Sequence, residues 1–381
     1  MRYLIFLMLP VTALAQEVPQ GAPNAGFTPE FADQTRASAL PETPVTSTIF
    51  ADGLVNPWGI APLPDDSWLV TERPGRLRII GPDGALSEPI SGLFDIDTQG
   101  QGGLLDVTVA RDFAEDRMVY WTYAKPVDGG TVTAAARGVL SDDGSAITQA
   151  KDIFVQSPPS PTPMHYGSRI VIDGPHVFIT TGEHFSLTER VLAQDPRATY
   201  GKVIRLNRDG SVPADNPFGD AIWSFGHRNM QGAIMGPGGL WTIEHGPAGG
   251  DELNQPQPGA NYGWPVISYG INYDGTPVGS GQAVMQGMEP PVYYWDPVIA
   301  PGGMAFYRGD AFAGWQGNLL IGSLNPGGLV RLALADGRVG GEERLLPEVG
   351  RVRDVELMDD GNVLLLIDAA AGAVLRVTPA G

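Results

Sequence analysis

The sequence contains no cysteine, and this absence removes several kinds of chemistry. Without a thiol the chain can form neither a disulfide nor a thiolate metal site, and it has no cysteine nucleophile. Positive charge is also scarce, because 24 lysines and arginines stand against 43 aspartates and glutamates, giving a formal net charge of −19. Such a charge repels phosphate backbones and anionic lipid surfaces. We therefore expect no nucleic acid or membrane partner, and a neutral or cationic small molecule suits the chain better.

Long apolar runs are missing except for a short one at the N-terminus. The segment MRYLIFLMLPVTALAQ carries Arg2, an apolar stretch over residues 4–11, and the small residues Ala13 and Ala15. This stretch is too short to span a bilayer, and the pattern is typical of a cleaved secretory signal, a buried N-terminal strand being the alternative. We therefore expect a signal peptide over residues 1–15, cleavage near Ala15, and a periplasmic or secreted protein without membrane insertion.

Two regions follow the predicted signal. Residues 16–44 are rich in proline, alanine and threonine and show no sustained periodicity, so we interpret them as a leader or a surface strap rather than a domain. From residue 45 onward, an apolar, β-branched run repeatedly meets a turn containing Asp, Gly or Pro and continues into a second apolar run. Six such units are visible: Trp58 to Glu72, Leu104 to Ala124, Ser168 to Glu183, Gln231 to Gly246, Gly302 to Ser323, and Arg353 to Asp368.

The spacing of these units predicts the fold class. Hairpins that recur with loop insertions are typical of propeller blades, and a third apolar run often follows, as in Arg76 to Ile80. The 51 glycines and 34 prolines suit tight turns, and no long helical periodicity is present. We therefore predict an all-β fold, a six-bladed β-propeller of four-stranded antiparallel blades over residues 45–381, in preference to a sandwich. The segment Val45 to Phe50 is predicted to complete the last blade.

A propeller brings loops that are distant in sequence to one face, and three loops carry side chains suited to a ligand. Gln101 lies among glycines in GQGGLLDV, and His165 precedes a glycine turn in MHYGSR. Histidine is the side chain best suited to accept a proton near neutral pH. In GHRNMQG, Arg228 and Asn229 could hold carboxylate or quinone oxygens in a plane. Each feature also has an ordinary alternative, namely a tight turn, a structural histidine or a solvated surface pair.

The segment after Arg228 mixes backbone carbonyls with carboxylates. In EHGPAGGDELN, Gly246 and Pro247 expose carbonyls, and the Asp251-Glu252 pair offers hard oxygen ligands of the kind that calcium prefers. The carbonyl of Tyr262, in NYGW, could join Glu252 at a second calcium. The segment is not an EF-hand, and a solvated acidic loop is the alternative.

Two arginines near the C-terminus form the last candidate feature. Arg351 and Arg353 stand two residues apart in GRVRDVEL, so they point to the same side if the backbone is extended. Two cations on one side repel each other unless an anion lies between them.

Taken together, these motifs resemble the glucose/sorbosone dehydrogenase family, the soluble aldose sugar dehydrogenases that depend on pyrroloquinoline quinone (PQQ). The resemblance covers nearly all of residues 45–380. It rests on motifs that occur in the family's order: WGIAPLPDDSWLVTERPGRL, GQGGLLDV, HYGSR, GKVIRLNRDGSVPADNPF, GHRNMQG, EHGPAGGDELN, GANYGW and RVRDVEL.

The resemblance implies roles for individual residues. His165 matches the family's general base, and Gly246 and Pro247 match the carbonyls that bind the calcium of the cofactor. Glu252 and Tyr262 match a separate structural calcium. The residues that match contacts to the quinone and its carboxylates are Gln101, Arg228, Asn229, Tyr273, Arg351 and Arg353. One position departs from the family, because Asn325 in SLNPGG stands where relatives commonly carry a lysine facing the cofactor.

The expected reaction is oxidation of the anomeric hydroxyl of an aldose to a lactone. His165 would take the hydroxyl proton while hydride leaves the carbon for the quinone, and Arg228 would stabilise the anionic oxygen that develops. The expected partners are an aldose and an external electron acceptor, either a quinone or a cytochrome, with the protein a monomer or homodimer. Two alternatives stay open: a calcium-dependent propeller lactonase or other hydrolase, and a secreted binding propeller without catalysis.

Overall fold

The computed structural model describes residues 18–381, so the predicted signal peptide lies outside the described residues. The chain forms six antiparallel sheets, which we number as blades 1 to 6. Blade 1 contains β2 (Pro57–Pro62), β3 (Trp68–Glu72) and β4 (Arg76–Ile80). Blade 2 contains β5 (Leu104–Val109), β6 (Met118–Val127), β7 (Gly130–Leu140) and β8 (Ile147–Val155), with the short helix α1 (Phe113–Asp116) before β6. Blade 3 contains β9 (Gly167–Asp173), β10 (His176–Thr181), β11 (Lys202–Asn207) and β12 (Ile222–Phe225), with a 3₁₀ turn (Arg190–Gln194) between β10 and β11.

The other three blades complete the ring. Blade 4 contains β13 (Met230–Gly236), β14 (Gly239–Glu244), β15 (Asp251–Asn254) and β16 (Tyr293–Trp295). Blade 5 contains β17 (Pro301–Phe306), β18 (Leu319–Ser323), β19 (Leu329–Ala335) and β20 (Arg338–Leu345), followed by a 3₁₀ turn (Pro347–Val349). Blade 6 contains β21 (Val352–Leu357), β22 (Val363–Ile367), β23 (Gly372–Pro379) and, from the N-terminal side of the chain, β1 (Val45–Leu54).

The six hairpins predicted from the sequence are the first two strands of the six blades, and the predicted six-bladed propeller is confirmed. The ring closes as expected, because β1 pairs antiparallel with β23, with Val45 opposite Pro379. Blade 1 departs slightly from the predicted four strands. Its fourth position is taken by residues 85–90, which hydrogen-bond to β4 without forming a regular strand, as in the 2.7 Å bond from the Ile90 N–H to the Leu77 carbonyl. Pro89 interrupts a regular ladder there because it has no N–H.

The hydrophobic core lies between neighbouring blades. Leu69 of blade 1 packs with Val107 and Trp121 of blade 2, and equivalent clusters fill the other interfaces. Each blade is therefore covered on both faces, which explains why inner strands such as VLLLI in β22 are continuous apolar runs.

Residues 18–44 run as an extended strap along the outer edges of blades 4 and 5. The buried side chain of Gln34 donates to the Pro291 carbonyl at 2.9 Å, and Ala39 forms a parallel bridge with Glu342 on the outer strand of blade 5. A strap of this kind covers strand edges that would otherwise present unpaired backbone groups.

The order of strands within the blades determines at which end of the ring the predicted site loops lie. In every blade, the loop that enters the first strand and the loop that leaves the second strand lie at the same end of the sheet. We call the face formed by these loops the upper face. Within residues 18–381 no helix is long and apolar enough to cross a bilayer.

Candidate active site

The upper face holds a cavity of about 280 Å³ at the mouth of the ring. Seven residues that the sequence analysis singled out line it: Gln101, His165, Arg228, Asn229, Tyr273, Arg351 and Arg353. The remaining lining residues are Trp58, Arg73, Gln231, His245, Ala300, Leu324 and Asp368. The wall thus contains four arginines and one aspartate, a local excess of positive charge in a chain whose net charge is −19. Such a cavity suits an anionic ligand.

His165 is held in place by its backbone as well as its ring. Its φ of 45° lies in the left-handed region, its N–H donates to the Gln101 side-chain oxygen at 2.8 Å, and only 6% of the residue is exposed. A Cβ at Gly182 would lie 1.8 Å from the His165 carbonyl oxygen, so the close approach of the two loops requires glycine. The imidazole Nδ1 lies 2.8 Å from Glu183 Oε1, which leaves Nε2 as the nitrogen free to act as a base.

Burial sets the protonation of this histidine–glutamate pair. Burial and then the nearby Arg228 guanidinium hold the pKa of His165 well below its usual range, so the imidazole is neutral at pH 7. Burial raises the pKa of Glu183 to about 7, against the opposing effect of Arg228. An anion bound next to Arg228 would offset the positive charge and raise the basicity of His165.

Arg228 is fixed from several sides at the edge of the cavity. It is 4% exposed, its backbone N–H donates to the Glu244 carboxylate, and its Nη1 donates to the His245 carbonyl at 2.9 Å. Its guanidinium carbon lies 5.1 Å from the centre of the Trp264 ring. The buried Nε has no hydrogen-bond partner in the described part of the chain, so the side chain keeps a donor for a ligand.

Arg351 and Arg353 both reach the cavity, as the spacing predicted, but a protein carboxylate already lies between them. Asp368 Oδ2 lies 3.2 Å from Arg351 Nη2 and 2.8 Å from Arg353 Nη2. Arg353 is buried and also donates to the Gln231 side-chain oxygen at 2.6 Å, whereas the Arg351 side chain is 52% exposed. Asp368 therefore provides part of the negative charge that we expected between the two arginines. A bound anion would share both arginines with Asp368.

The other predicted contacts differ in their placement. Asn229 is buried and its side-chain oxygen accepts from the Gly167 N–H at 3.0 Å, so its amide nitrogen faces the ligand space. Tyr273 is 66% exposed and stands at the rim of the cavity. Asn325 is exposed and does not line the cavity, whereas its neighbour Leu324 does. The structure therefore does not bring Asn325 to the cavity wall.

The four predicted calcium ligands meet beside the cavity. Gly246, Pro247, Glu252 and Tyr262 surround a small void of about 10 Å³, which is close to the space that one water-sized sphere occupies. Within residues 18–381 no hydrogen bond is accepted by the carbonyls of Gly246, Pro247 or Tyr262. These carbonyls are therefore free to bind a cation.

Asp251 differs from the role that the sequence suggested for it. Its carboxylate accepts N–H groups from Gly246, Ile299 and Ala300, each at 2.7 Å. With three backbone donors satisfied, it closes the loop that carries Gly246 and is not available as a calcium ligand.

Glu244 and Glu252 lie directly opposite each other on neighbouring strands of blade 4. Like charges in this position are destabilising unless a proton or a cation separates them. Burial and the Glu244 charge raise the pKa of Glu252 well above its usual range. Among residues 18–381 no three acidic, histidine or cysteine side chains converge into a metal site, so each calcium that the resemblance implies would depend on carbonyl oxygens, with Glu252 as the one carboxylate among the predicted ligands. The donor set fits calcium, which takes carboxylate and carbonyl oxygens.

The sequence analysis missed several residues that line the cavity, including Trp58, Arg73, His245 and Asp368, and it missed Glu183, which pairs with His165. One signal could have found some of them, because an acidic residue ends or follows the second strand in four blades. These residues are Glu72, Glu183, Glu244 and Asp368. All four reach the upper face and are buried there.

Comparison with known proteins agrees with this geometry. The family model described as "Glucose / Sorbosone dehydrogenase" matches residues 54–376. The chain belongs to this family. Aldose sugar dehydrogenase YliI of Escherichia coli K12 is 42% identical over 359 residues, which cover 90% of this chain and 96% of that protein.

Solved structures of relatives share the fold along nearly their whole length. The apo form of the soluble aldose sugar dehydrogenase of Escherichia coli has a TM-score of 0.84 at 41% identity, covering 88% of this chain and 100% of that chain. The PQQ-bound form of an aldose sugar dehydrogenase from Streptomyces coelicolor has a TM-score of 0.72 at 25% identity, covering 89% and 99%.

Proposed function

We propose that this protein oxidises the anomeric hydroxyl of an aldose to a lactone, using PQQ bound in the upper cavity beside calcium. The observation that carries the proposal is the convergence of four arginines and the neutral His165 on a single cavity. PQQ is a tricarboxylate, and the arginine-rich wall matches its charge. Membership in the sugar dehydrogenase family and the PQQ-bound relative support the same function.

The cofactor would be held by residues on several blades. Arg228, Arg351 and Arg353 would share its carboxylates, and Gln101 and Asn229 would fix its orientation. The Gly246 and Pro247 carbonyls would bind the calcium that touches it, while Glu252 and the Tyr262 carbonyl would bind a structural calcium. When bound, the quinone supplies the hydride acceptor of the reaction.

The protein itself handles the proton. His165 Nε2 would accept the proton of the anomeric hydroxyl, a step that typically contributes about 10² to 10⁴ in rate. Glu183 orients the ring through Nδ1 and, when ionised, would stabilise the imidazolium that forms. Arg228 keeps an unpartnered buried Nε at the edge of the cavity, so it would stabilise negative charge that develops on oxygen.

Reconstitution tests this function against its alternatives. We expect that the apoprotein, mixed with PQQ and calcium, reduces a redox dye only when an aldose is present. A lactonase would hydrolyse lactones without PQQ, and a binding protein would turn over neither substrate. We propose that the protein works in the periplasm or outside the cell, after cleavage of the N-terminal signal, and secretion assays of the full chain test this.

A further inference from the structure

The wall of the upper cavity contains a second histidine. His245 follows β14 and is half-buried, and its ring is fixed from the neighbouring blade, because Nε2 lies 2.7 Å from the carbonyl of Pro301 on β17. Its backbone is fixed as well, since its N–H donates to the Asn229 carbonyl at 3.1 Å and its carbonyl accepts from Arg228 Nη1 at 2.9 Å. The imidazole is therefore held in place beside the cavity.

The bond to Pro301 also fixes the tautomer of the His245 ring. A carbonyl oxygen can only accept, so Nε2 carries the hydrogen and Nδ1 keeps a lone pair. Burial and then the Arg353 guanidinium hold the pKa of His245 well below its usual range, and a calcium at the adjacent Gly246 carbonyl would lower it further. Within residues 18–381 Nδ1 forms no hydrogen bond, and it is not sealed from solvent. His245 thus presents an open acceptor.

The side-chain oxygens of the cavity wall are, in contrast, already engaged within residues 18–381. Those of Gln101 and Asn229 accept backbone N–H groups at 2.8 and 3.0 Å, and that of Gln231 accepts from an arginine at 2.6 Å. Asp368 Oδ2 accepts from two arginines, and its Oδ1 accepts from an asparagine amide at 3.3 Å. The four arginines of the wall can only donate. The wall is therefore rich in donors and poor in open acceptors.

The open acceptors that this wall keeps have different surroundings. His165 Nε2 is the base of the proposed reaction, so it must stay available to the substrate hydroxyl. The Tyr273 hydroxyl belongs to a residue that is 66% exposed at the rim, where water can satisfy it. His245 Nδ1 is left as the acceptor for a donor on the bound ligand itself.

The chemistry of the cofactor supplies one matching donor. At neutral pH the carboxylates, the quinone carbonyls and the pyridine nitrogen of oxidised PQQ are all acceptors, and its single donor is the pyrrole N–H. A donor that is buried among arginines without an acceptor loses its bonds to water and gains nothing in return. The cavity therefore needs one acceptor for this N–H.

We propose that His245 recognises the cofactor by accepting a hydrogen bond at Nδ1 from the pyrrole N–H of PQQ. This rests on the proposed function, because it requires PQQ in the upper cavity. Since only the pyrrole ring carries a donor, the bond determines which end of the cofactor lies at the junction of blades 4 and 5. The arginines hold the charge of PQQ, and His245 selects its orientation.

The first test separates the two ring nitrogens with two variants. Asparagine keeps an acceptor near the Nδ1 position, whereas the longer glutamine keeps the bond to the Pro301 carbonyl and loses that acceptor. At saturating calcium we expect the Kd for PQQ to rise about 5- to 20-fold in His245→Gln and less than about threefold in His245→Asn. The melting temperature of the apoprotein should fall more in His245→Asn, because the Pro301 carbonyl loses its donor. A purely structural role would give the weaker binding to the less stable variant, which is the opposite order.

The second test observes the hydrogen bond itself. In complexes with ¹⁵N-labelled PQQ, the pyrrole proton should resonate at lower field in the wild-type protein than in His245→Gln. His176→Gln is the matched control, because His176 begins β10 at the opposite face and does not line the cavity. This variant should keep both the wild-type Kd and the wild-type proton resonance.

Each other outcome has a defined meaning. If His245→Gln binds PQQ as tightly as the wild type, the inference is wrong. If it binds oxidised PQQ normally and reduced PQQ more weakly, Nδ1 serves a hydroxyl of the hydroquinone, and the inference is also wrong. An unchanged Kd with a higher KM for the aldose would assign Nδ1 to the sugar instead. If the wild-type protein binds no PQQ, the proposed function fails, whereas the first three outcomes overturn only the role of His245.

Discussion

Replacing Arg351 with alanine tests the anion-binding role of the cavity separately from folding. The Arg351 side chain is 52% exposed, and its 3.2 Å contact with Asp368 resembles a surface ion pair, which contributes about 0–1 kcal/mol to stability. The protein should therefore stay folded. A charge-assisted hydrogen bond to a bound carboxylate contributes about 1.5–3 kcal/mol, so we expect the Kd for PQQ to rise about 10- to 150-fold.

Arg353→Ala is expected to behave differently. The Arg353 side chain is 7% exposed and its Nη2 lies 2.8 Å from Asp368, so its removal leaves a buried carboxylate with one cationic partner fewer. Breaking a buried pair in this way costs about 3–5 kcal/mol, and we expect both a lower melting temperature and weaker PQQ binding. The two arginines are therefore distinguishable, although they are only two residues apart.

The assay is a titration of the apoprotein with PQQ at fixed calcium and ionic strength, followed by absorbance. Arg197→Ala is the matched control, because Arg197 is 87% exposed and pairs with Asp195 outside the cavity. Arg351→Lys keeps the charge but loses the planar fork, and it should recover part of the affinity. A Kd for Arg351→Ala equal to that of Arg197→Ala would refute the reasoning.

Three further predictions concern the base, its partner and the structural calcium. His165→Ala keeps PQQ binding and lowers kcat about 10²- to 10⁴-fold, and unchanged turnover would exclude it as the base. Burial raises the pKa of Glu183 to about 7, so activity that needs the ionised Glu183 carboxylate should rise with pH through about 7 and be lost below it. Glu183→Gln should lack this rise when kcat/KM is measured against pH. A rise that remains in Glu183→Gln would mean that another group titrates. Added calcium should raise the melting temperature of the apoprotein, because the cation separates the Glu244 and Glu252 carboxylates. Glu252→Gln should reduce this rise in melting temperature. An equal rise in both proteins would show that Glu252 is not a calcium ligand.

The fold was predictable because its information is local. Each inner hairpin appears in the sequence as two apolar runs around a turn, and the propeller repeats that pattern six times. Closure by β1 was also predictable, since Val45 to Phe50 is rich in β-branched residues and has no partner strand nearby in sequence. The irregular outer segment of blade 1 was not, because Pro89 affects only the edge of a sheet whose inner strands are regular.

The sequence predicted which residues carry the chemistry of the site, but not which side chains pair with each other there. His165 and Arg228 in their loops and Arg353 at the start of β21 carry side-chain chemistry that stands out in the sequence, and the ring brings them to one cavity. The carboxylate partners of His165 and Arg353 lie just after other strands: Glu183 is 18 residues from His165, and Asp368 is 15 residues from Arg353. Such pairings depend on which strand ends meet at the upper face, which side-chain type alone does not reveal.

The measurement that bears most directly on the central claim is a single-turnover experiment without an electron acceptor. The apoprotein is loaded with one equivalent of PQQ in the presence of calcium, and its absorption spectrum is followed anaerobically as glucose or another aldose is added. We predict that the spectrum of the bound quinone changes to that of its reduced form and that one lactone forms per PQQ. A protein that binds PQQ tightly but shows no spectral change with any aldose, or one that does not bind PQQ, would contradict the account.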